Sequence, residues 1–476
     1  KQYFVSTPNE KRKTQALKIT HTFGIYPLQQ YMVEFHGGRK QCLHGAWDDV
    51  KKQWYHLYGN MDIADGEWLN WTGGSQNWNS MCADCHSTEL KKDFDPKTNE
   101  YSTSYKVMNV SCEACHGPSD QHILAKMNPE EKLSDGDLFV GLKKDKTPVN
   151  KSEIEKCARC HSRRSQLTSY YDHKGTFMDH YLPEILRVNV YHKDVQILDD
   201  VYVYGSFAQS KMYNNNVGCI DCHNPHTNKL KFQGNALCMQ CHAKTPEQVF
   251  DTPAHHFHQE GREGEKCVNC HMDGKHYMGI DFRRAHSFRI PRPDQTVKYG
   301  TPNACNNCHK DKKAEWAVDA IEKVHGKERK PHFSDMLIPG KDRYQPRFDI
   351  LTKLAEDTTQ PAIARATAIW LLQPLNTQAV YSIANKLLLD KEPLVRYHAL
   401  GVFSMVSKSQ RITVIGEMLN DPVRAIRIET ANQLSDCSVE DLKPELKVAY
   451  ANAVNEFSTY LDMYADSAGG QVNISN

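Results

Sequence analysis

No stretch of the chain approaches the roughly 18 consecutive apolar residues that a membrane-crossing helix needs. The first residues, KQYFVSTPNEKRK, contain no apolar core of the secretory-leader kind. The expectation is that a leader has been removed, or that the chain begins inside a longer precursor. A surplus of charge of one sign is also missing. Lys plus Arg total 59 and Asp plus Glu total 58, which argues against nucleic acid or an anionic membrane as the main partner. Apolar residues are scarce, at 39%. That is on the low side for a chain long enough for two or three domains, so something other than side chains is expected to fill part of the interior.

What is abundant is cysteine beside histidine. Fourteen of the 16 cysteines fall into seven C-x-x-C pairs, and His follows the second Cys every time. The motifs are CADCH (Cys82, Cys85, His86), CEACH (Cys112, Cys115, His116), CARCH (Cys157, Cys160, His161) and CIDCH (Cys219, Cys222, His223). They continue with CMQCH (Cys238, Cys241, His242), CVNCH (Cys267, Cys270, His271) and CNNCH (Cys305, Cys308, His309). With 24 histidines in 476 residues, seven coincidences have negligible probability. Covalent haem c needs this spacing: two cysteines one turn apart form thioethers with the vinyl groups, and the adjacent His binds iron. A zinc ribbon has no need of His after each pair. A thioredoxin-like dithiol occurs once, beside a βαβ pattern that is not present. A disulfide framework needs no fixed spacing.

Seven haems follow as the expected cofactor count. They are large apolar bodies that replace side-chain core, and their propionates make the holoprotein more acidic than its formal charge. Thioethers are formed outside the cytoplasm, so the expected location is periplasmic or extracellular. Cys42 and Cys437 are left over. Export permits a disulfide between them, but nothing in the sequence brings them together, and unpaired or buried thiols are the favoured reading.

Seven second axial ligands are needed if every haem is bis-histidine, and 17 histidines remain for the task. Met is the other common ligand. The candidates by position are His56 in QWYHLYGN, His122 after CEACHGPSDQ, His180 and His192 in the long third-to-fourth gap, and His226 in CIDCHNPH. His255, His256 and His258 in PAHHFH and His286 in RRAHSFRIPRP complete the set, with His276 and His173 in reserve. His398 is read as structural.

Three segments are expected. Residues 1–80 alternate like short strands in YFVST, ALKITHTFGIY and QYMVEFHGG and end on the three tryptophans of WLNWTGGSQNWNS. The partner expected for those tryptophans is the first haem, or a haem from a segment not in this chain. Residues 81–312 hold all seven motifs among short helices and loops. The fourth and fifth motifs start 19 residues apart, which suggests a closely packed haem pair. Residues 313–476 show helical periodicity in AEWAVDAIEKV, ARATAIWLLQPL, AVYSIANKLLL, LVRYHALGVFSMV and AIRIETANQL. A long final helix then runs into a polar tail. Arg365, Arg396 and Arg427 recur every 31 residues, each with a Pro a few residues ahead (Pro361, Pro393, Pro422). A fixed period of this length marks an α-solenoid, with the arginines as stacking residues. The expected fold class is mainly α, with little regular structure around the haems and a small β-containing N-terminal part.

The pattern resembles multihaem cytochromes c that carry doubled C-x-x-C-H motifs followed by HEAT-like, often tetratricopeptide, helices. The segments that carry the resemblance are THTFGIYPLQQYMVEF, NWNSMCADCHST, SCEACHGP, KCARCHSRRSQ, YVYGSF, CIDCHNPH, TPAHHFH, HSFRIPRPD and TPNACNNCH. It implies an exported electron-transfer protein with closely stacked bis-histidine haems. Related folds include enzymes acting on nitrogen or sulfur oxyanions. Family members often have a further haem motif ahead of the region matching KQYFVST, so an eighth haem in a longer precursor is an expectation. The implied partners are redox proteins or other multihaem cytochromes, and a homo-oligomer or haem-continuous filament is compatible with the surplus of His. Catalysis at one open haem is the alternative to electron transfer. A third expectation is a scaffold in which the helical repeats dock a partner enzyme. No catalytic residue is assigned.

Overall fold

The computed structural model describes residues 1–8, 13–128, 151–243, 250–341 and 347–475. All 24 histidines and all 16 cysteines lie among them. The alternating N-terminal segments form β1 (Phe4–Pro8), β2 (Thr14–Phe23) and β3 (Leu28–Glu34). With β4 (Lys40–Cys42), β5 (Gly45–Asp48) and β6 (Gln53–His56) they make one antiparallel sheet of order β1-β2-β3-β5-β6, with β4 also paired to β3. Successive residues of a strand point to opposite faces, and β3 uses both. Met32 lies opposite Cys42 in the ladder and packs with Trp78 and Ala83, beside the first motif. Val33 faces the other way, into a cluster with Leu17, Phe35, Leu43 and Trp71. The sheet is therefore the wall on which the first motif rests. Of the three tryptophans, Trp78 is buried, Trp71 meets Phe35 edge-on and Trp68 is exposed.

The C-terminal periodicities fold as helices Ala314–His325, Ala362–Leu372, Gln378–Leu387, Pro393–Leu400 and Arg424–Gln433. Helices Phe348–Glu356, Ala362–Leu372, Pro393–Leu400, Arg424–Gln433 and Lys447–Met463 pack in succession. The 31-residue arginines share one role. Arg365 pairs with Asp390, Arg396 with Asp421 at 2.8 Å, and Arg427 with Glu456 at 2.6 Å. Each cation thus reaches an acid some 25 to 29 residues further along. These pairs are partly or wholly desolvated, so removing one partner would strand a buried charge. The polar tail is not a loose end. Residues Ala468–Ser475 form a helix, and Asp466 just before it accepts Lys92 at 2.9 Å and the Tyr101 hydroxyl at 3.1 Å. That docking depends on contacts more than 360 residues apart in sequence, which local pattern does not carry.

The largest apolar core joins the helices from Phe333 to Ala453 with residues of the 167–208 segment, including Leu186, Tyr191 and Val201. Between residues 209 and 332 the picture is different. Among the described residues of that stretch, Pro293 and Ala317 are the buried apolar side chains. Four of the seven motifs lie there.

Candidate haem sites

Each motif forms a short helix or the end of one. Examples are Cys112–His116, Lys151–His161, Ala236–His242 and Cys267–His271. Residues three apart on a helix share a face, so each pair of thiols projects together, with the His a step further round. Polar caps fix the starts. Asn303 accepts the Asn306 N–H at 3.1 Å, and the Asp221 carboxylate accepts the Gly218 N–H at 2.8 Å. The free thiols stand here for the thioether sulfurs of an attached haem.

Four motif histidines face a second imidazole. His116 and His226 have ring centroids 6.1 Å apart and planes 4° from parallel. His223 and His286 are 6.4 Å and 29° apart, His271 and His255 6.2 Å and 11°, and His309 and His258 6.0 Å and 31°. Two metal–imidazole bonds of about 2 Å each, plus about 1.1 Å from nitrogen to centroid on each side, sum to about 6.2 Å. The four centroid separations match that sum. Proton placement agrees. His271 Nδ1 donates to the Arg289 carbonyl at 2.8 Å and His286 Nδ1 to the Arg284 carbonyl at 3.0 Å, while His258 Nδ1 donates to the His256 carbonyl. A carbonyl only accepts, so the proton is on Nδ1 and Nε2 is left with its lone pair for a metal. Burial lowers the pKa of His286 to about 4, which keeps it neutral.

The other candidate ligands are placed differently. His180 is buried with both ring nitrogens engaged, Nδ1 with Thr168 at 3.0 Å and Nε2 with the Lys174 carbonyl at 2.8 Å. Neither nitrogen is left for iron. His256 accepts the His258 N–H through Nδ1 at 3.2 Å and supports its neighbour. His56 is exposed, accepts the Tyr58 N–H through Nδ1 and lies edge-on to His44. His192 lines a cleft with Cys270, His271, Lys275, Arg289 and Arg292. The cations there suit the carboxylates of a haem. His122 lies in the electrostatic surroundings of His116. Of the reserves, His173 meets Tyr171 edge-on and His276 meets Phe282. His398 is half-buried in the helical region, and desolvation lowers its pKa to about 3. His44 is missing from the candidates. It is buried beside Tyr58, and burial lowers its pKa to about 4. Nothing in its sequence surroundings, CLHGAW, marks it. Opposite His86, His161 and His242 no second imidazole is in ring contact among the described residues. The ring beside His86 is Phe23 and that beside His242 is Phe250.

The motifs adjoin one another. Cys85 lies against Cys160, Cys157 against Cys219, and Cys238 against Cys267. Arg159 of the third motif donates to the Ala114 carbonyl of the second at 2.9 Å. Gln240 of the fifth reaches the Asp221 carbonyl of the fourth at 3.4 Å, and Asn307 of the seventh reaches Asp273 beside the sixth at 2.6 Å. Cys42 lies against Cys82, Cys437 belongs to the helical core, and both are buried free thiols.

The residues present fit haem. A thiol pair precedes each motif His, four imidazole separations match a hexacoordinate metal, and the described residues of 209–332 bury almost no apolar side chain of their own. The chain is a multihaem c-type cytochrome. The family model for cytochrome c554 and c-prime matches residues 60–117, and the model for the doubled CXXCH motif matches residues 213–247. Among solved structures, the chain is similar to the outer cell wall cytochrome OcwA at 16% identity and a TM-score of 0.44, over 79% of this chain and 85% of that one. No curated protein matches it. Among the described residues no helix is long and apolar enough to cross a membrane.

Proposed function

We propose that the chain holds seven haems c and serves as an exported electron conduit, periplasmic or extracellular. The observation that carries this reading is the set of four histidine pairs, each opposed at 6.0–6.4 Å. Covalent haem supplies one-electron redox chemistry at each motif. The protein's own part is to attach, ligate and space. Fourteen cysteines anchor, seven motif histidines bind on one side, and His226, His286, His255 and His258 bind on the other. The polar contacts between motifs hold neighbouring sites in a fixed series. The helices from 313 onward, with their repeated Arg–acid pairs, act as a HEAT-like solenoid that docks a redox partner protein, another multihaem cytochrome or a second copy in an oligomer or filament.

A second reading has its own observation. Among the described residues His86 and His161 have no second imidazole in ring contact, which favours an oxidoreductase acting on a nitrogen or sulfur oxyanion at an open iron. Electron paramagnetic resonance of the oxidised holoprotein, with haem quantified on the same sample, separates the two. Low-spin signals that ignore added anions support the conduit. A stoichiometric high-spin haem that shifts with nitrite, hydroxylamine or a sulfur oxyanion overturns it in favour of the enzyme.

A further inference from the structure

The residue just before the second cysteine of a motif has no part in haem attachment, yet three such residues meet at one place. They are Asp84 of the first motif, Ala114 of the second and Arg159 of the third. Arg159 is buried at 4% exposure. It donates to the Ala114 carbonyl at 2.9 Å, and its other guanidinium nitrogen lies 3.8 Å from Asp84. Arg164, three residues beyond His161, closes the cluster. Its Nε donates to the Arg159 carbonyl, and its terminal nitrogen pairs with Asp84 and lies 3.6 Å from the Cys85 sulfur. The two guanidinium groups stack on aromatic faces, Arg164 over Tyr181 at 3.9 Å and Arg159 over Tyr171 at 4.4 Å.

The charges do not cancel. Two arginines, which stay protonated in proteins, share one carboxylate. Tyr181 and Tyr171 contribute no negative charge, because burial pushes both hydroxyls up, that of Tyr171 to about 12. A net positive charge is therefore buried where the first and third motifs touch, with one guanidinium against an attachment sulfur. Screening by water is weak there. Adding an electron to a haem lowers its positive charge, so a fixed neighbouring cation favours the reduced form.

We infer that Arg159, Arg164 and Asp84 form a buried charge junction that locks the first three motifs together and raises the reduction potentials of the haems attached at Cys82–Cys85 and Cys157–Cys160. These are positioning residues: none is a ligand, and all act through the haems beside them. The inference rests on the haem-binding reading above.

The test is a potentiometric titration of the holoprotein after haem quantification, for Arg164→Gln, Arg159→Lys and Asp84→Asn. Arg164→Gln is expected to shift one or two one-electron steps about tenfold toward the oxidised form, about 59 mV lower. Asp84→Asn is expected to shift the same steps in the opposite direction, and Arg159→Lys to leave them near their original values. Shifts of the same sign in Arg164→Gln and Asp84→Asn, or none, overturn the inference, because loss of packing alone has no reason to follow the sign of the charge removed. If Arg164→Gln fails to assemble, Asp84→Asn decides by its sign. Haem missing from either motif in the unmodified protein overturns the haem-binding reading instead.

Discussion

Replacing His286 by alanine leaves the haem content of the protein unchanged and turns one low-spin ferric haem per chain into a high-spin one. The fourth motif keeps Cys219 and Cys222, so attachment does not depend on His286. The sixth position does. The His286 ring stands 6.4 Å from His223, with its Nδ1 proton committed to the Arg284 carbonyl. Free imidazole added to the variant is expected to restore the low-spin spectrum. His180→Ala is the matched comparison. His180 is also buried, but its ring joins Thr168 to the Lys174 carbonyl. Its loss is expected to cost about 1–3 kcal/mol of stability, from buried polar groups left unpaired, with no haem changing spin state. A high-spin haem in His180→Ala, or none in His286→Ala, contradicts the ligand set. Parallel variants His226→Ala, His255→Ala and His258→Ala extend the comparison to the other three gaps.

The second large effect concerns the chain without its cofactor. Produced in a compartment that attaches no haem, the protein is expected to fold in its helical part and to stay open between residues 209 and 332. The physical reason is the near-absence of apolar burial in that stretch. Its motif helices, such as Cys219–Cys222 and Cys267–His271, are far too short to hold alone. The helices from Ala362 to Met463 share a continuous core that includes Ile369, Val395 and Ile426. Limited proteolysis and amide exchange are the measurements. Backbone amides of 209–332 should exchange at least about tenfold faster than in the holoprotein, a loss of at least about 1.4 kcal/mol of local stability. Those of Ala362–Leu372 should change little. Equal protection of both regions contradicts the view that haem is the core of the motif region.

The attachment residues could be read from sequence because their chemistry is local. Two thioethers and an iron bond within one turn of backbone leave a mark no fold is needed to see. The strands of the N-terminal sheet and the 31-residue arginine period were visible for the same reason, since each repeats within one element or one repeat. The second ligands are a question of three dimensions. In PAHHFH the sequence gives three equivalent imidazoles. The structure directs His255 to His271 and His258 to His309, and leaves His256 to accept a backbone N–H. His180 stood out because its gap holds few other ligands, and only packing shows that Thr168 and Lys174 occupy its nitrogens. The junction of Asp84 with Arg159 left one faint sign, opposite charges at matching places in CADCH and CARCH. That sign says nothing until the two motifs are seen to touch.

The most direct measurement is the intact mass of the purified protein under denaturing conditions, before and after treatment with a thiol-alkylating reagent. The account expects seven haem increments on the polypeptide and two alkylated residues, Cys42 and Cys437. Any smaller number of increments, with the corresponding C-x-x-C pairs open to the reagent or joined as disulfides, contradicts it.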